Sequence, residues 1–187
     1  GYFISISAKT VDGTKVVGDS PLFIVQHLGD LPYYISDISL NSQIGTGESK
    51  AIVTLKYTVT SGNKTLYVSK DLYSSRSASA LDYHYTSIRG GILAVSAQPA
   101  SSIGDLNNLF VIAPDTSRSF EYTGYMDNDG GSAGVKEFSV NYINIKTAIN
   151  NNDEPFGEPY HYAPPGNSGK TSLFLTSGSN PQPAPTI

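Results

Sequence analysis

Apolar and polar side chains alternate along residues 51–60. The apolar positions are Ala51, Val53, Leu55, Tyr57 and Val59. Only Ile52 interrupts the polar row between them. Because successive side chains of a β-strand point to opposite faces of the sheet, this segment predicts a strand with one buried face and one solvated face. Nothing in the pattern carries catalytic chemistry, so it indicates a fold class rather than an activity.

Similar segments recur along the chain, separated by Gly, Asn, Asp and Pro. Residues 33–149 contain seven or eight strand candidates, at residues 34–40, 50–60, 66–71, 82–87, 91–97, 110–112, 119–125 and 137–146. Their spacing and turn signals are those of an Ig-like β-sandwich. No segment shows helical periodicity over three turns. The chain is therefore predicted to be all-β, with extra terminal strands and a Pro-rich C-terminal tail.

Two terminal segments flank the predicted sandwich. Residues 1–27 are interpreted as a β-hairpin that completes a preceding domain or donates strands to a neighbour. Residues 150–187 are interpreted as a Pro-rich linker with one strand at residues 172–176. Since an isolated strand is not stable alone, it must pair with the edge of the sandwich, with another domain or with another subunit. The candidate assembly residues in these terminal strands are Tyr2, Ile4, Ile6, Leu173 and Leu175.

The composition favours an extracellular or cell-surface setting. Charged residues make up 15% of the 187 residues, against about 25% in an average globular protein. The net charge is −4 and no run of Lys or Arg exists, so a nucleic-acid partner is not expected. The chain has no cysteine, which excludes disulfides and thiolate chemistry. No apolar run approaches the roughly 20 residues of a membrane helix, so no membrane insertion is expected.

One acidic loop is a candidate metal site. Asp127, Asn128 and Asp129 are candidate calcium ligands, because hard cations bind several oxygen atoms. The spacing of an EF-hand is absent, however, and clusters of Asp, Asn and Gly are also ordinary turn formers. A plain loop is therefore the alternative, and no other cofactor is expected.

Three tyrosines are candidate sugar-stacking residues, namely Tyr83, Tyr85 and Tyr122. A tyrosine ring offers a flat apolar face and a polar tip to a sugar. Alternate tyrosines along a strand also satisfy ordinary sheet packing, and the chain has no Trp. Packing in the core or at an interface is therefore the alternative.

Two parts of the chain resemble known bacterial modules. The first, residues 1–25, reads GYFISISAKTVDGTKVVGDSPLFIV and resembles the closing strands of bacterial fibronectin-III/Ig-like domains. The second comprises KAIVTLKYTVTSGNKTLYVSKDL and TSRSFEYTGYMDNDGGSAGVKEFSVNYINI. It resembles the repeating Ig-like modules in large secreted surface proteins of uncultured candidate-phyla bacteria. The matching positions are Leu66, Tyr67, Val68, Ser117, Arg118, Ser119, Phe120, Gly124, Asp127, Asn128 and Gly130. The resemblance implies a fold and a surface setting, and no catalytic residue transfers from it.

The sequence favours a non-catalytic structural or adhesive module. It predicts a filament or surface-layer subunit joined by strand exchange, whose partners are copies of itself or adjacent Ig-like domains. A carbohydrate-binding accessory module of a secreted protein is the alternative. A hydrolase is the third reading, but the acidic residues are scattered and no Gly-x-Ser-x-Gly signature is present.

Overall fold

The protein is all-β, as the sequence predicts. The computed structural model describes residues 2–3, 8–9, 15–16, 24–25, 32–45, 49–72, 79–86, 89–128, 130–149 and 160–178, and these residues contain no helix. The strands are β1 (Tyr2–Phe3), β2 (Ala8–Lys9), β3 (Lys15–Val16), β4 (Ile24–Val25), β5 (Tyr33–Ile44), β6 (Lys50–Ser61), β7 (Leu66–Ser69), β8 (Leu81–Tyr85), β9 (Arg89–Gln98), β10 (Leu109–Ile112), β11 (Ser117–Asp127), β12 (Gly134–Ile145), β13 (Tyr160–Tyr162) and β14 (Lys170–Leu175). The eight candidates predicted between residues 33 and 149 correspond in order to β5 through β12.

Sheet 1 is antiparallel and has the strand order β5–β6–β11–β9. Its centre is the long pairing of β6 with β11, which runs without interruption from Thr60 opposite Ser117 to Lys50 opposite Asp127. The flanking strands β5 and β9 each contain a bulge. A bulge bends its strand and re-aims the side chains beside it, so both flanking strands depart from the regular pattern of the central pair.

Sheet 2 is organised around β12. Residues 134–139 of β12 pair with β14, and β13 follows along the same edge. Phe138 and Ser139 have partners in both β14 and β8, so β8 must lie on the opposite edge of β12. A two-stranded pair, β7 with β10, joins this edge through a bridge between Tyr67 and Lys146.

The two sheets share one hydrophobic core in a sandwich-like arrangement. The five apolar residues predicted to face inward from β6 are 0–1% exposed, whereas Lys56 in the same strand is exposed. This result confirms the predicted alternation. Sheet 2 contributes fully buried side chains from β12 and β14, including Phe138, Ile143 and Leu175. Since each such side chain stabilises the fold by about 1.5–3 kcal/mol, burial of both inner faces holds the sheets together.

The C-terminal strand β14 is an integral part of sheet 2. Of the three alternatives for the strand near residues 172–176, the structure shows pairing with the edge of the same sandwich. Leu175 is buried and Leu173 packs against the core. The predicted domain boundary at residue 149 is therefore too early, because β13 and β14 complete sheet 2. The remainder of the predicted linker, residues 150–159 and 179–187, lies outside the described residues.

Four two-residue strands precede the sandwich. β1 pairs with β4 and β2 pairs with β3, both antiparallel. Tyr2 pairs with Val25 through its backbone. The predicted assembly residues Ile4 and Ile6 lie outside the described residues.

Candidate functional site

Arg118, one of the residues that carry the family resemblance, lies in the interior and is 3% exposed. Its Nη1 lies 2.6 Å from Asp105 Oδ1 and donates to the Val111 carbonyl at 2.9 Å. Its Nη2 donates to the Ala97 carbonyl at 3.3 Å, and the guanidinium carbon lies 5.5 Å from the centre of the Phe110 ring. Arg118, on β11, therefore ties β10 and the loop between β9 and β10 to sheet 1, which is a structural role.

The predicted calcium loop is held by structural contacts. Asn128 is fully buried, and its Nδ2 donates to the carbonyls of Ser132 at 3.0 Å and Thr176 at 2.7 Å. Asp127 is also buried, with its carboxylate 3.4 Å from Lys50 Nζ. These contacts join the end of β11 to the start of β6 and to the residue after β14.

Calcium binding at this loop stays a prediction. Asp129 lies outside the described residues. Within the part of the chain that the structure describes, no three His, Cys, Asp or Glu side chains are grouped so that they could hold a metal ion. Asn128 directs its amide nitrogen at two carbonyls, and its buried Oδ1 has no hydrogen-bond partner.

The three tyrosines predicted to stack on sugars do not form a common platform. Tyr83 and Tyr85 are half-buried on β8 of sheet 2, where the Tyr83 ring stacks on Phe138 with centroids 5.5 Å apart. Tyr122 belongs to sheet 1 and is fully buried. Its burial leaves no ring face for a ligand and removes it from the predicted sugar-stacking set.

Tyr122 instead forms a buried pair with Tyr57. Their rings stack with centroids 5.6 Å apart, and their hydroxyls are hydrogen-bonded at 2.9 Å. Burial raises the pKa of both phenols well above the usual value of 10. Since a group that transfers protons needs a pKa near the working pH, this pair serves packing rather than acid–base chemistry.

Replacing Tyr122 with Phe is expected to leave the Tyr57 hydroxyl buried without its partner. We expect a loss of about 1–3 kcal/mol in the free energy of unfolding, the desolvation cost of an unpaired buried polar group. The double variant Tyr57→Phe/Tyr122→Phe should regain much of this loss, because both hydroxyls are then absent. Urea unfolding of the two single variants and the double variant measures the coupling. Strictly additive losses would contradict the pairing.

A shallow polar groove of about 450 Å³ crosses the outer face of sheet 1. All four strands of the sheet contribute polar side chains to it, namely Asp37, Ser39, Lys56, Thr58, Ser96, Gln98, Ser119 and Glu121. Tyr57 and Phe120 also line it, but each is only 1% exposed because its ring points into the core. The groove is thus an open site lined by hydrogen-bonding groups.

Asp37 reaches the groove because of the bulge in β5. Two residues of β5, Asp37 and Ile38, stand opposite the single residue Tyr57 of β6. Ile38 packs against the core, whereas Asp37 is exposed. Asp37 has a φ of 55°, a backbone conformation in which aspartate and asparagine are found more often than other residues with a side chain. Ser36 Oγ donates to Asp37 Oδ2 at 2.9 Å. The bulge therefore adds one outward carboxylate to the polar face.

Sequence reasoning missed this groove. The alternation at residues 51–60 predicts the polar face of β6, but a bulge depends on the register between two strands. The sequence signal for the groove is the set of alternate polar positions in both β6 and β11. These positions form one continuous polar surface only when the two strands are paired.

Comparisons with protein-family models, with curated proteins and with solved structures find no match to this chain. No helix in the described ranges is long and apolar enough to cross a lipid bilayer. The resemblance to Ig-like surface modules accordingly stays a prediction that rests on the residues quoted above.

Proposed function

We propose that this chain is a non-catalytic structural module of an extracellular filament or surface layer, and that copies are joined by β-strand pairing. The observation that carries the proposal is the outer edge of β9. This strand pairs with β11 along one edge, and within the described part of the chain no strand pairs with its other edge. An unpaired strand edge presents a row of N–H and C=O groups that can accept another strand.

The edge of β9 lacks most of the features that prevent such pairing. Charged side chains and prolines usually protect edge strands. β9 begins at Arg89 and Pro99 follows its end, but residues 90–98 between them contain neither, and Leu93 is 61% exposed. The bulge at Leu93 bends the strand, but it leaves residues 94–98 in regular register with β11. This stretch can therefore bind an extended segment through main-chain hydrogen bonds.

The donor strand is chosen by comparing how extensively each terminal segment pairs within its own chain. Leu173 and Leu175 already belong to β14, which pairs with β12 of the same chain. β14 also lies beside β5, where Ser42 Oγ and Thr171 Oγ1 are hydrogen-bonded at 2.7 Å. Residues 2–8 read YFISISA and alternate apolar and polar side chains from Ile4 onward, a pattern that suits addition to a sheet edge. Tyr2 and Phe3 pair with β4 over two positions only, against six positions for β14, so donation exchanges a short pairing. We therefore assign the donor role to this segment of a neighbouring copy.

Placing charge on β9 is expected to abolish assembly. The variant Leu93→Lys/Ala94→Lys puts two ammonium groups on exposed positions of the strand, where they oppose the approach of a second strand. Multi-angle light scattering should show a wild-type mass that rises with concentration and a variant that stays monomeric.

The matched control is Ile103→Lys, because Ile103 is also 61% exposed but lies outside the strands. It should assemble like the wild type. A wild-type protein that remains monomeric at every concentration, or a control that loses assembly equally, would overturn the proposal.

A further inference from the structure

The groove on the outer face of sheet 1 presents paired polar groups at fixed spacing. Lys56 Nζ lies 2.9 Å from Glu121 Oε2, and the hydroxyls of Thr58 and Ser119 are hydrogen-bonded at 3.0 Å. The members of each pair face one another because β6 and β11 place them directly opposite in register. Both charged side chains remain about half exposed, so they are open to a ligand.

The charge of the groove disfavours anionic ligands. The charges of Lys56 and Glu121 cancel one another. Asp37 adds a second carboxylate, and Lys56 is the sole lysine or arginine among the residues that line the groove. The surface is therefore slightly negative, and a phosphate, a sulfate or a polyuronate would be repelled. An apolar ligand also finds little to contact, because the rings of Tyr57 and Phe120 lie in the core.

We infer that this groove binds a short stretch of an uncharged polysaccharide. Sugar hydroxyls both donate and accept, and carboxylate and amide groups such as those of Asp37 and Gln98 can each bind more than one of them. Four strands spaced about 4.8 Å apart give the groove a span of about 14 Å across the sheet, enough for a few sugar rings.

The placement of Asp37 supports a binding role. It is the additional residue of a bulge and has a positive φ, which aspartate and asparagine tolerate better than other residues with a side chain. Bulges are over-represented at sheet edges and beside functional sites, and here the bulge in the edge strand β5 directs a carboxylate into the groove. Because no exposed aromatic ring contributes stacking, we expect weak binding, with a dissociation constant on the order of 1 mM.

Titration by heteronuclear NMR tests this assignment with three soluble polymers: a neutral β-glucan, a neutral mannan and polygalacturonate. We expect saturable shifts with at least one neutral polymer at the backbone amides of Lys56, Thr58, Ser119 and Glu121. Polygalacturonate should cause no comparable shifts. The inference is overturned if neither neutral polymer binds, if the shifts lie elsewhere, or if polygalacturonate binds more tightly than the neutral polymers.

Two substitutions then identify the groups that bind. The variant Asp37→Asn/Glu121→Gln keeps the shape of both side chains, and asparagine tolerates the same backbone conformation at residue 37. It should weaken binding by at least about fivefold, since hydrogen bonds to charged groups are stronger than those to neutral ones. Glu137→Gln is the control, because Glu137 is exposed on β12 of sheet 2. Equal weakening by the control would overturn the assignment.

This inference does not depend on assembly through β9. If the protein binds glycan but stays monomeric, the groove assignment holds and the proposed assembly through β9 is wrong. If the protein assembles but does not bind glycan, the assembly proposal holds and the groove assignment is wrong.

Discussion

Substituting Arg118 with methionine is expected to lower the free energy of unfolding by about 1–3 kcal/mol, because a buried guanidinium is lost together with its hydrogen bonds and its ion pair with the partly exposed Asp105. Arg118 is 3% exposed, and it also donates to the carbonyls of Val111 and Ala97, which lose that donor. The side chain of Asp105 is 27% exposed, so solvent relieves part of its loss. Chemical unfolding monitored by circular dichroism measures the effect.

The matched variants are Asp105→Asn and the double variant Arg118→Met/Asp105→Asn. The double variant should be more stable than the sum of the two single losses implies, because it retains neither charge. Additive losses would show that Arg118 and Asp105 stabilise the fold independently, contrary to the contact between them.

Acid unfolding supplies a second readout of the same pair. Burial alone would raise the pKa of Asp105, but hydrogen bonds from Arg118 and from the Val111 N–H, together with the charges of Arg118 and Lys70, lower it overall. The folded pKa thus lies below the value of about 4 expected in the unfolded chain. The ionised Asp105 therefore stabilises the folded state fully above the unfolded pKa of about 4, and this stabilisation is lost as the pH falls through the folded pKa. Arg118→Met should flatten this acid dependence.

Truncating Leu175 to alanine is expected to cost about 2–5 kcal/mol, because the side chain is fully buried and its removal leaves a cavity. The result would show that β14 is part of the folded module rather than an appended linker strand. Thermal unfolding measures the loss.

The neighbouring residue gives a control within the same strand. Phe174 is 58% exposed and points away from the core, so Phe174→Ala should change stability by no more than about 0.5 kcal/mol. Equal losses for the two variants would contradict the alternation in β14. A stable Leu175→Ala variant would indicate that β14 does not complete sheet 2.

Much of the fold could be predicted from local pattern. The strict alternation in β6 identified its five inward residues, and turn signals separated the eight strands from β5 to β12. The same reasoning could also have placed Tyr122 correctly. In β11, Phe120, Tyr122 and Met126 share one face, while Ser119 and Glu121 share the other, so the pattern indicates a buried Tyr122.

The candidate site depended on information that no local pattern holds. The groove arises from the register between β6 and β11, and Asp37 enters it through a bulge that exists only relative to β6. The Arg118–Asp105 pair joins residues on different elements, and no local sequence pattern at either position identifies the partner residue. The strand β14 was assigned to a linker because Pro-rich flanks obscured its pairing with a strand about 35 residues earlier in the chain.

Light scattering on a mixture of two variants tests whether residues 1–26 of one copy bind the β9 edge of another. One variant lacks residues 1–26 and keeps the β9 edge together with every strand from β5 to β14. The other variant carries Leu93→Lys/Ala94→Lys and keeps the donor segment. Each variant should be monomeric alone, and the mixture should form heterodimers that do not grow further. A mixture that stays monomeric while the wild type assembles, or assembly of either variant alone, would contradict the proposal.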